Sequence, residues 1–183
     1  MKYGVEDLFA EFEKYFLEDD YICTLTFLVV KNNYRIKKQK IINYCKKIIQ
    51  LQNKKYLMPI LSVFNKYCKL NDIGKYKDDL ILVIKLGLPE NLIVNQEFAV
   101  FLNKLLEYQK NTRDIATTYD MLDEIIESMR DVKYYYKELD IVKDILLEFK
   151  SCNKLEDAKL IANKIYDTKN LKYYATNLKE FLI

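Results

Sequence analysis

Apolar residues return every three or four positions along nearly the whole chain. Val5, Leu8, Phe9, Phe12 and Phe16 form one such stripe, and Phe98, Phe101, Leu102, Leu105 and Leu106 another. Ile115, Tyr119, Leu122, Ile126 and Met129 alternate steps of four and three; Val142, Ile145, Leu146 and Phe149 follow the same rule, as do Leu171, Tyr174, Ala175, Leu178 and Leu182. That period places each set on one face of an α-helix and the charges on the other, so each helix must pack against neighbours. The pattern predicts helices near 4–17, 20–30, 35–51, 54–70, 76–86, 92–110, 113–130, 134–150, 155–166 and 170–182. Two segments need separate argument. YICTLTFLVV (21–30) has the β-branched character of a strand, but a lone strand would have no partner, so a buried helix is expected. YLMPILSVFNKYC (56–68) is apolar nearly all round, which predicts a central helix started or kinked at Pro59.

Punctuation agrees with these boundaries. Gly87 and Pro89 read as a stop and a restart, and Asn71, Asp72 and Gly74 break the chain between two apolar runs. Asn153 with Glu156 three residues later has the spacing of a capping box. The chain has three glycines and two prolines, where average usage over this length gives roughly 20 or more. A β fold needs those residues at its tight turns. The expected fold is therefore all-α: one domain, 1–183, of about ten antiparallel helices joined by short polar loops.

The C-terminal third carries an echo. MRDVKYYYKELDIVKDIL (129–146) aligns without a gap on IYDTKNLKYYATNLKEFL (165–182), matching Asp131 to Asp167, Lys133 to Lys169, and Lys143 with Leu146 to Lys179 with Leu182. An offset of 36 residues is the size of a helix–turn–helix unit. In size and pairing, EDAKLIANKIYD with NLKYYATNLKEFL resembles the tetratricopeptide-like α-solenoids, mainly over residues 120–183. The resemblance implies a helical-repeat array over the C-terminal half, 113–183. The family's Trp, Leu-Gly and closing Pro are absent, so it transfers no site.

Chemistry is mostly removed by composition. There is no histidine, which eliminates Ser-His-Asp and Cys-His catalysis and the commonest zinc ligand. Glycines only at 4, 74 and 87 cannot build a phosphate loop. Cys23, Cys45, Cys68 and Cys152 form no CxxC pair and read as small buried hydrophobes in a reducing cytoplasm. Asp120, Asp123, Glu124 and Glu127 share a helix, but read as a solvated face rather than a metal site. No cofactor, metal site or catalytic residue is expected. The sixteen tyrosines include Tyr134, Tyr135 and Tyr136 and the pair Tyr173–Tyr174, which read as core and rim packing, with partner contact or base stacking as the functional alternative.

Charge changes the picture more. Residues 1–20 carry seven acids and two lysines, net −5; residues 21–71 carry eleven basic residues and no acid, net +11; residues 72–183 are net −3. The total of +3 conceals this segregation, and segregation sets local potential. On a helix over 36–51, Ile41, Ile42, Cys45, Ile48 and Ile49 face the core, while Lys40, Asn43, Lys46, Lys47 and Gln50 face outward. Lys31, Arg35, Lys37 and Lys38 precede them, and Lys54 and Lys55 follow. Cations in a first helical turn oppose the helix dipole, which invites a functional reason. The strip could be neutralised by the acids of 6–20 or simply solvated, could meet an acidic protein partner, or could meet RNA or DNA phosphates.

The N-terminus lacks a signal peptide's apolar core, and the longest apolar run is about half a membrane span, so an intracellular, cytoplasmic protein that does not enter a membrane is expected. LKEFLI ends on apolar side chains with no polar cap, which hints at self-association. The expected function is a non-enzymatic binding or scaffold module. Nucleic-acid binding through the strip 31–55 is the alternative, and an enzyme comes third.

Overall fold

A computed structural model describes residues 42, 43, 45, 46, 49, 57–89, 95–130 and 138–182. Among them are seven α-helices and no strand. They are α1 (Leu57–Tyr67), α2 (Lys77–Gly87), α3 (Asn95–Thr112), α4 (Ile115–Ser128), α5 (Leu139–Ser151), α6 (Leu155–Asp167) and the short α7 (Lys172–Ala175). Two 3-10 turns, Leu70–Asp72 and Gly74–Tyr76, join α1 to α2, and α7 runs on into a 3-10 segment, Thr176–Phe181. Of the further helices expected, 4–17 and 20–30 lie outside the described residues. For 35–51, residues Ile42, Asn43, Cys45, Lys46 and Ile49 are helical, with Ile42, Cys45 and Ile49 buried.

Packing alternates along the chain. α1 packs on α3 and α3 on α5, while α2 packs on α4 and α4 on α6; consecutive helices also touch, as α1 with α2 and α5 with α6 do. The stripes explain this. Phe98, Phe101, Leu102, Leu105 and Leu106 of α3 and Val142, Ile145, Leu146 and Phe149 of α5 are all buried in one continuous core. α1 buries Leu57, Ile60, Leu61, Val63 and Phe64 but leaves Lys66 exposed, so it is not apolar all round. Its C-terminal carbonyls are sealed from the neighbouring helix, where the Lys104 ammonium donates to the carbonyl oxygens of Asn65 and Cys68.

The reversals bring two corrections. Asn153 does not cap α6. It takes a left-handed conformation, φ 59°, and ends α5, with its own N–H reaching Lys150 O and the Lys154 N–H reaching Phe149 O. Asparagine tolerates that conformation better than most residues, so it closes a helix here instead of opening one. Gly87 does lie at a stop, but inside the last turn of α2 and not in a left-handed cap. Arg113 is also left-handed, φ 54°, and Asp114 behind it caps α4 by accepting from the Thr117 N–H.

The C-terminal segment corrects a third expectation. Phe181 is fully buried, Leu178 nearly so and Leu182 half-buried, because the 3-10 segment folds back onto α6. Leu178 and Phe181 of the apolar ending are core, and not a bare end.

Candidate functional site

Of the predicted strip, Lys46 alone falls within the described residues; Lys31, Arg35, Lys37, Lys38, Lys40, Lys47, Lys54 and Lys55 lie outside them. Lys46 has an internal partner. Its ammonium sits 2.7 Å from an Asp79 carboxylate oxygen and 5.2 Å from the centre of the Tyr76 ring. Tyr76 is buried and stands edge-on to Phe64, with centroids 5.7 Å apart. The hydrogen bond to Asp79 holds the Lys46 ammonium above its ordinary pKa against the opposing effect of burial. This anion comes from the first turn of α2, where Asp78 and Asp79 also favour the helix dipole; residues 6–20 lie outside the described residues.

α4 is not simply wet. Its acids serve both neighbours: Asp120 and Glu124 pair with Lys77 and Lys85 of α2 at 2.7 and 3.1 Å, and Asp123 and Glu127 pair with Lys164 of α6 at 2.6 and 3.5 Å. The solvated-face expectation is corrected accordingly. These are half-exposed pairs, individually worth about 0–1 kcal/mol. No cluster of three or more cysteines or carboxylates among the described residues is placed to hold a metal ion.

A tighter polar corner joins α3, α4 and the turn before α2. The Tyr108 hydroxyl donates to Asp114 at 2.6 Å, and a Cβ added to Gly74 would come within 2.8 Å of that hydroxyl. Burial pushes the Asp114 carboxyl up. Hydrogen bonds from Tyr108 and Thr117 and the charge of Lys77 outweigh it, and the group ends below its ordinary value. The same burial raises the Tyr108 phenol, helped by Asp114.

A further concavity lies at the α6–α7 turn. Arg130, Asp167, Thr168, Lys169 and Asn170 line an open cleft of about 520 Å³. Thr168 is buried and donates to Lys164 O at 2.8 Å, while Asn170 donates to Arg130 O at 2.6 Å, fastening the turn to the end of α4. Tyr173 beside it is 81% exposed and Tyr166 is 44% exposed, with the Lys172 ammonium 4.7 Å from the Tyr166 ring centre. Tyr134, Tyr135 and Tyr136 lie outside the described residues. From the sequence, this corner's Tyr173–Tyr174 pair is expected to pack as core and rim, with partner contact or base stacking as the alternative, and the rest of the corner has no assigned role. Its signals were Lys169, matched to Lys133 in the internal echo, and the Tyr173–Tyr174 pair, whose first ring is exposed and second half-buried.

Of the cysteines, Cys45 and Cys68 are buried thiols as expected and Cys152 is half-buried at the end of α5; Cys23 lies outside the described residues. No helix among the described residues is long and apolar enough to cross a membrane. No protein-family model, curated protein or solved structure matches the chain.

Proposed function

We propose that this protein is a non-enzymatic helical module that recognises a macromolecular partner across stacked helix pairs, in the manner of a tetratricopeptide-like α-solenoid. The observation that carries the reading is the alternation of packing, α1–α3–α5 beside α2–α4–α6, which leaves long outer helix faces for a partner. Val100 of α3 and Leu147 of α5 stand exposed on one of those rows. Affinity capture with quantitative mass spectrometry tests it by comparing the intact protein with the double variant Val100→Glu, Leu147→Glu. The reading expects stoichiometric partners that the variant loses while its thermal midpoint is unchanged. Identical recovery by both overturns it.

A second reading, nucleic-acid binding through the strip, is favoured by the acid-free run 21–71 at net +11. One of its cations, Lys46, is already committed to Asp79. On this reading Lys40→Glu with Lys47→Glu weakens oligonucleotide binding and flattens its salt dependence. Binding that ignores salt and these changes removes the strip from consideration.

A further inference from the structure

We propose that the α6–α7 corner is a binding site for single-stranded nucleic acid, separate from the basic strip and independent of the scaffold reading. The corner combines a polar-lined cleft with exposed cations and an open aromatic face on the residues that flank its lining in sequence. Lys169 and Lys172 are exposed, and among the described residues neither has an ion-pair partner. They differ in this from Lys77, Lys85, Lys150 and Lys164, each held by a carboxylate of a neighbouring element. Arg130, 3.1 Å from Glu127, adds a guanidinium to the cleft wall.

Tyr173 supplies the stacking surface. Tyr174 meets it edge-on, at 6.0 Å between centroids and 77° between planes, an arrangement that braces one ring against the other without stacking over it. With 81% of the residue exposed, a base can stack on that ring. Lys172 lies over Tyr166, so phosphate-binding charge and aromatic surface alternate along the turn. Asp167 and Asn170 are the groups that can hydrogen-bond a base edge in the cleft. The cleft, about 520 Å³, is open to solvent, so a base can approach it without displacing packed side chains. The turn is already fastened through Thr168 and Asn170, so little ordering is required on binding. A duplex buries its base faces and offers Tyr173 nothing, which sets the preference for a single strand. An acidic peptide would use the lysines and leave the tyrosine idle.

The test is fluorescence anisotropy on the full chain, with short labelled single-stranded RNA, the same sequence as a duplex, and a poly-glutamate competitor, across a salt series. We expect the single strand to bind more tightly than the duplex. Tyr173→Ala should weaken it about tenfold with the salt slope unchanged. Lys169→Glu with Lys172→Glu should lower the slope by roughly 1.4, about 0.7 for each phosphate no longer neutralised. Circular dichroism should be the same for all three proteins, since the substituted side chains are exposed. Equal binding by wild type and both variants, a duplex preference, or lysine-dependent capture of poly-glutamate that ignores Tyr173 each overturns the proposal. Loss through Lys40→Glu and Lys47→Glu alone would do the same while leaving the strip reading in place.

Discussion

Lys46 and Lys172 both lie over a tyrosine ring, at 5.2 and 4.7 Å, yet they present opposite surfaces. Lys46 covers a buried Tyr76 and is held by Asp79; Lys172 covers a half-exposed Tyr166 and among the described residues makes no ion pair. The difference begins at helix starts. α2 opens with Asp78 and Asp79, which favour its dipole and then serve a passing lysine, whereas the first turn of α7 has no acid. A count of charges along the sequence therefore does not separate a lysine already held by a carboxylate, Lys46, from one with no ion-pair partner among the described residues, Lys172.

The contrast can be broken most heavily at the corner's foundation. Phe181→Ala should cost about 3–5 kcal/mol, since the ring is fully buried. Urea denaturation measures it, and a loss under about 1 kcal/mol would show that the C-terminal segment is not docked. The polar corner of Tyr108 and Asp114 is next. Gly74→Ala forces the Tyr108 hydroxyl aside from its bond to Asp114, and overpacking of this kind costs about 1–3 kcal/mol. If Gly74→Ala is neutral, Tyr108 yields freely and the corner is not rigid.

Asp114→Asn sharpens the same corner through pH. The folded carboxyl lies below its ordinary 3.8, so its contribution is present above about that pH and fades as pH falls through the folded value. The variant should show a shallower loss of stability below pH 3.8 than the wild type; parallel acid limbs would contradict the assignment. The smallest stability effect belongs to Asp79→Asn, under about 1 kcal/mol for a half-exposed pair. It should nevertheless tighten oligonucleotide binding if the strip binds phosphate, by releasing Lys46.

Much of the fold was legible because the apolar period is unbroken. The predicted 76–86, 113–130 and 155–166 each overlap a helix, and the stripes of 98–106 and 142–149 are core. Details decided by contacts between elements were not. Asn153 has cap spacing with Glu156, but the turn was fixed by how α5 ends. LKEFLI reads as bare until the 3-10 segment returns Phe181 to the core. Gln109 sits on the α3 stripe and is fully buried, with no hydrogen-bond partner for its amide among the described residues, which no local pattern foretells. Likewise Asp120, Asp123, Glu124 and Glu127 announce a polar face, while their lysines come from residues about 40 positions away on α2 and α6.

The most direct measurement of the contrast is lysine side-chain NMR during titration with single-stranded RNA, following the ε-methylene and ammonium signals. Lys169 and Lys172 should shift together with the Tyr173 ring protons while Lys46 stays with Asp79. Shifts at Lys46 with Lys169, Lys172 and Tyr173 unmoved would contradict the account.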